Sequence, residues 1–286
     1  MINKMISSVS GKVSTSGDNL TVDSDALFQA TSADNIAIGL NALNSTGADS
    51  DNNIGIGVSA LTAVTTGDNN VAMGWKAGEG ITTLSNNTII GHQAGQVDVA
   101  NITAVGYQVL KDCTAAGTVG VGMSALTSLT SGAGCTAIGY QAAKTITGAG
   151  NTAIGYDAAK LVVAGTNNTV LGAYALDAAN AGEASNVAIG VNSMGAVNEE
   201  PNTCQADSNV AIGDNALFGG ILASDKVLTH NVAIGYLALT GTATNTQTGT
   251  IAIGSSALAA LTSGAGNTAI GYRTLEDITT ATNNVA

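Results

Sequence analysis

A short unit, Asn-β-Ala-Ile-Gly-x-x-Ala-Leu with β standing for Val, Ile or Thr, recurs along most of this 286-residue chain. Clear copies are NIAIGLNAL from Asn35, NTAIGYDAA from Asn151, NVAIGDNAL from Asn209, NVAIGYLAL from Asn231, TIAIGSSAL from Thr250 and NTAIGYRTL from Asn267. Degenerate copies from Asn87, Thr118 and Cys135 keep the register. The glycine of the unit falls at Gly39, Gly57, Gly74, Gly91, Gly106, Gly122, Gly139, Gly155, Gly172, Gly190, Gly213, Gly235, Gly254 and Gly271. Its intervals are mostly 15 to 19 residues, with 23 and 22 on either side of Gly213. A unit this short cannot bury a core alone, so copies must stack. The expected fold is all-β, a parallel β-solenoid of about fourteen turns over residues 34–286. Residues 1–33 lack the motif but contain NLTVD from Asn19, and are read as an N-terminal cap or attachment segment.

Each position of the unit has a physical reading. Alternation of a β-branched residue and Ile with Ala and Gly is strand periodicity. Val232 and Ile234 are therefore expected on one side of a strand buried on both faces. Ala233 and Gly235 belong on the other, against a second backbone at close range. The Ala-Leu pair that follows is expected to form a second strand or a turn that returns apolar surface to the core. Asn occupies the first position in ten of the fourteen repeats. It tolerates left-handed geometry and can stack into an amide ladder. Asn35 and Gly39, Asn70 and Gly74, Asn151 and Gly155, Asn209 and Gly213, Asn231 and Gly235, and Asn267 and Gly271 are thus structural repeat residues.

Composition agrees and excludes other classes. Aromatics are 3% of the chain, too few to anchor an ordinary enzyme core, while 45% hydrophobic residues argue against disorder. A formal charge of −12 with eight Lys and Arg disfavours nucleic acid and anionic membrane surfaces as partners. No apolar run is long enough to insert into a membrane, and the N-terminus carries no apolar signal-peptide core. Cys113, Cys135 and Cys204 fit reduced thiols better than a disulfide framework.

The Asn-x-Ala-Ile-Gly-x-x-Ala register over residues 35–275 resembles the NTAIGYxAL repeats of phage tail-fibre and virion proteins. It is also similar to the head repeats of trimeric autotransporter (YadA-like) adhesins. The resemblance implies a left-handed β-roll, three chains side by side as a homotrimer, and an Ala/Gly face in close backbone contact. It implies a non-enzymatic structural fibre or spike of a phage virion, assembled in the host cytoplasm, with other virion or fibre proteins and a host-surface glycan or receptor as partners. The alternative is a secreted trimeric bacterial surface adhesin. Repeats longer than the adhesin's, and the absence of a signal peptide, stalk or anchor, favour the virion reading.

Catalysis requires clustered titratable groups, and the sequence offers none, nor any cofactor or metal pattern. His92 and His230 read as solvated surface residues, and Asp49/Asp51 and Glu199/Glu200 as turn residues. The slot after the repeat glycine holds Trp75, Tyr107, Tyr140, Tyr156, Tyr236 and Tyr272. This column is either a stacking ladder or interface wedge, or a platform for sugar rings. The insertions 196–208 and 218–229 are candidate projecting loops. The ending Asn284-Val285-Ala286 reads as a fifteenth repeat cut before its Ile-Gly, the expectation being a longer product or a docking partner.

Overall fold

The computed structural model describes residues 13–16, 19–22, 33–45, 50–178, 182–197, 206–219, 226–241 and 246–286. The chain divides into two units, Met1–Thr130 and Ser131–Ala286. In the first, β1 (Val13–Ser16) pairs antiparallel with β2 (Asn19–Val22). From β2 onward the ladder is parallel, through β3 (Ile36–Ile38), β4 (Ile54–Ile56), β5 (Val71–Met73), β6 (Thr88–Ile90), β7 (Thr103–Val105) and β8 (Val119–Val121). The second unit stacks β9 (Thr136–Ile138), β10 (Thr152–Ile154), β11 (Thr169–Leu171), β12 (Val187–Ile189), β13 (Val210–Ile212), β15 (Val232–Ile234), β17 (Ile251–Ile253) and β18 (Thr268–Ile270), all parallel. β14 (Leu228–Thr229) and β16 (Gln247–Thr248) pair on a second side of the coil.

The fold is all-β, a parallel β-solenoid, with no helix among the described residues. Within each unit every motif strand sits on its successor with equivalent residues paired, as Ala188 on Ala211 and Ala211 on Ala233. Fourteen motif strands bound about thirteen turns, one fewer than the glycine count suggests.

The alternation within each strand is as expected, but what lies on its outer side is not. The central Ala points into the coil and is fully buried at Ala37, Ala153, Ala211 and Ala233. Its neighbours there are a leucine side chain and, as expected, a second backbone. A Cβ placed on Gly55, which fills the same position in β4, would lie 3.1 Å from Leu43 Cγ. The Ala-Leu pair forms a turn that swings this leucine inward. Leu43, Leu61, Leu110, Leu126, Leu176, Leu217, Leu239 and Leu258 are all buried, with φ between 48° and 52°. A left-handed residue costs roughly 1–2 kcal/mol, and burying a leucine returns about 1.5–3 kcal/mol. Each turn is further held by a bond to the next coil, as Leu43 N to Ala60 O at 3.0 Å. Burial therefore outweighs the strain.

The close backbone approach belongs to the repeat glycine and runs along the stack. Gly155 has φ 143°, and a Cβ there would lie 2.4 Å from Gly172 O. No other residue fits that spacing. The outward side of the strands, expected to be buried, is instead half-exposed in the single chain. Ile138 is 39% and Ile270 60% accessible, with Met73, Ile90 and Leu171 alike. Leucines close the coil on one side only, and nothing among the described residues fully covers the other.

The asparagines form a buried ladder in each unit. Asn53 N donates to Asn35 Oδ1 at 2.7 Å and Asn70 N to Asn53 Oδ1 at 2.9 Å. In the second unit Asn186, Asn209 and Asn231 each donate the main-chain N–H to the Oδ1 of the preceding Asn at 3.0 Å. Each Nδ2 reaches a corner carbonyl, as Asn186 to Ala206 O at 2.7 Å. The left-handed residue is not this Asn but the one before it, such as Asn52, Asn69, Asn167 or His230, with φ near 59°. Its own side chain is thereby free to serve the ladder. Thr250 interrupts the run, and its buried Oγ1 has no hydrogen-bond partner. Gln247 compensates in part, donating Nε2 to Leu261 O at 2.7 Å. At the last coil Asn284 N donates to Asn267 Oδ1 at 3.1 Å, so the register of the motif extends that far.

Candidate functional site

The slot after each repeat glycine lies where the strand ends and the chain turns, so its side chain points away from the coil. Main-chain bonds fix the column coil by coil: Gln93 N donates to Trp75 O, Gln108 N to His92 O, and Asp157 N to Tyr140 O, all at 2.9–3.0 Å. Parallel stacking of identical backbone then forces neighbouring slot residues into contact.

In the first unit Trp75, His92 and Tyr107 make one continuous stack. Centroids of Trp75 and His92 are 4.6 Å apart, and those of His92 and Tyr107 5.1 Å. Lys76 Nζ lies 5.0 Å from the Trp75 ring and 2.9 Å from Glu79 Oε1. His92 is exposed, as the sequence suggests, but it is the central member of an aromatic stack and not merely solvated. In the second unit Tyr140 and Tyr156 stack at 5.0 Å with 14° between planes. Tyr174 closes that run edge-on at 5.3 Å. Its membership is hidden in the sequence because Ala173 fills the slot and Tyr174 stands one place later. Tyr236 and Tyr272 have no stacked aromatic neighbour among the described residues. They are the most exposed aromatics of the column, at 54% and 75%.

The carboxylates do structural work. Asp51 Oδ1 accepts from Ala33 N at 2.7 Å, and Asp51 N donates to Asp68 Oδ1 at 2.8 Å. Burial alone would raise the Asp98 carboxyl, but the Thr82 hydroxyl and the N–H groups of Thr82, Leu84 and Thr83 hold it below its ordinary value. Asp177 goes the other way. Burial, with help from the charge of Asp157, pushes it up to about 6. Asp157 itself is ion-paired with Lys160 at 2.9 Å. Burial also pushes the Cys135 thiol up. Cys135 takes the place of a ladder Asn, with its sulfur 3.3 Å from Gly148 O.

Asp49, Glu199, Glu200, Cys204 and most of both insertions, at 198–205 and 220–225, lie outside the described residues. Among the described residues no group of three or more His, Cys, Asp and Glu could hold a metal ion. No described helix is long and apolar enough to cross a membrane.

No family model, characterised protein or solved structure matches the chain. The functional reading therefore rests on the residues.

Proposed function

We propose that this chain is a non-enzymatic structural fibre or spike protein of a phage virion, a shaft or receptor-contacting appendage that assembles side by side as a homotrimer. The observation that carries this reading is the outward side of the motif strands. In the second unit Ile154, Leu171 and Ile189 stand in register on three adjacent strands, and the same aliphatic column runs through the rest of the ladder. Monomeric soluble proteins rarely leave apolar patches beyond a few hundred Å² uncovered. A closed symmetric assembly that turns this side inward would cover it. The carboxylates support the structural reading, since Asp51, Asp68, Asp98 and Asp207 are engaged as acceptors for backbone N–H groups or, for Asp68 and Asp51, linked in a chain of such bonds.

Sedimentation and particle imaging test this. The purified chain is expected to sediment as a trimer with β-type circular dichroism. The double variant Leu171→Lys, Ile189→Lys is expected to give a folded monomer. A compact, stable wild-type monomer would refute the trimer. Gold-labelled antibody on intact virions, or on bacterial surfaces, separates the fibre from the adhesin.

A further inference from the structure

Tyr236, Ser255 and Tyr272 fill the slot in three consecutive coils of the second unit. Their register is set by main-chain bonds, Ser256 N to Tyr236 O at 2.8 Å and Arg273 N to Ser255 O at 2.9 Å. Elsewhere in that unit adjacent aromatics consume each other's faces, as Tyr140 and Tyr156 do. Here a serine stands between two tyrosines, so the inner faces are left open.

The spacing of that gap is chemically specific. Neighbouring strands lie about 4.8 Å apart, so rings two coils apart are separated by about 9.6 Å. Held in the orientation of Tyr140 and Tyr156, rings in these two slots would face one another across Ser255. A chair-form sugar ring in contact with both faces needs about 4 Å on each side, plus about 1 Å for its own pucker. A flat aromatic guest would need only about 7 Å and would rattle. Sugars present C–H groups to aromatic faces and hydroxyls at their edges, and the rim is polar. Ser255 stands in the slot between Tyr236 and Tyr272. On the Tyr272 side the Arg273 guanidinium is paired with the Glu276 carboxylate, and together they supply donors and acceptors for sugar hydroxyls.

We propose that Tyr236, Ser255 and Tyr272 form a carbohydrate-binding cleft that takes one pyranose ring of a neutral oligosaccharide between two tyrosine faces. This deepens the receptor-contacting reading above and rests on it. It also gives the two kinds of stretch in the aromatic column different roles. The stacked runs are internal braces, and the interrupted stretch is the contact surface.

The test uses the full chain with maltohexaose, cellohexaose and chitohexaose as probes, read by saturation-transfer NMR and calorimetry. At least one probe is expected to receive saturation at its axial C–H protons. Tyr272→Ala should weaken that binding at least tenfold, and Ser255→Trp, which fills the gap, should abolish it. Trp75→Ala, in the other unit, should leave it within twofold. Absence of transfer to all three sugars from the folded protein would overturn the cleft, as would binding that survives Ser255→Trp. Sedimentation of the same samples keeps the two readings apart. Sugar binding by a monomer sinks the trimer and leaves the cleft, and a trimer that binds none of the probes does the reverse.

Discussion

Asn168 is bonded twice to a single atom of Asn151: its main-chain N–H at 3.0 Å and its Nδ2 at 3.1 Å both meet Oδ1. It repeats the service upward, its own Oδ1 accepting Asn186 N at 3.0 Å, while Nδ2 donates to Glu183 O at 2.6 Å. The side chain is thus a connector between coils. Asn168→Ala would strip two buried backbone groups of partners, each worth roughly 1–3 kcal/mol. A loss of about 2–4 kcal/mol in urea unfolding is expected. Asn215→Ala, which removes an exposed bond to Asp214, should change little.

Gly155 and Gly134 both have positive φ but sit in opposite surroundings. At Gly155 a Cβ would overlap Gly172 O, whereas at Gly134 it would meet nothing within 4 Å. Gly155→Ala is expected to cost at least about 3 kcal/mol, combining a glycine-only backbone region with backbone overlap. Gly134→Asn, at φ 72°, should melt near the wild type. Thermal unfolding of the pair checks the assignment, and equal losses would contradict it.

Ala233 and Tyr236 stand three residues apart on opposite sides of the coil wall. Ala233 faces the packed interior, so Ala233→Leu should cost about 1–3 kcal/mol by overpacking. Tyr236 points outward with no stacked partner, and Tyr236→Ala should stay within about 0.5 kcal/mol of wild type. A larger loss for Tyr236→Ala would mean that its ring braces the coil.

Asp177 gives a pH signature. Its carboxyl titrates near 6 in the fold, above its ordinary 3.8. For an acid raised on folding, the native state holds the proton more tightly. The stability contribution is full below the ordinary value and is lost as pH rises through about 6. Asp177→Asn should remove this dependence and stabilise the chain above pH 6. For a half-exposed group, screening limits the gain to about 1 kcal/mol. Chemical denaturation at pH 4, 6 and 8 measures it; an unchanged slope in the variant would assign the titration to another group.

His92→Ala removes both stacked contacts to Trp75 and Tyr107, for an expected loss of about 1–2 kcal/mol. Trp75 is the only tryptophan, so its emission reports the stack directly. A red shift on substitution is expected. No change in emission would mean the rings do not stack in solution.

The repeat made the coil legible, because a glycine that returns every 15 to 19 residues admits few other structures. What faces each side of the strand was not legible. A run of alanines fits a nearby backbone, but it does not show that the inward swing of Leu43 and its equivalents sets a large side chain beside that backbone. The role of Asn was readable as a ladder, but the left-handed position falls on Asn52 or Asn167, one residue earlier. At the column, the slot register named six aromatics. It could not show that His92 would join two of them, or that a serine at 255 would open what a tyrosine would have closed. Such contacts arise between coils, at separations the local pattern does not carry.

The ladder's interruption at Thr250 has a mechanical consequence. In a stack where each coil is bonded only to its neighbours, a pull along the stacking direction loads every junction with the same force, and the weakest yields first. From Asn186 to Asn231 each junction of the second unit is riveted by a side-chain oxygen receiving the next coil's main-chain N–H. At Thr250 the oxygen is present but grips nothing, and Gln247 supplies a single tie to Leu261. Under tension the second unit therefore has two built-in fuses, one after Cys135 and one between Thr250 and Asn267. The coils between them, from Asn151 to Asn231, would stay wound while such a junction gave way.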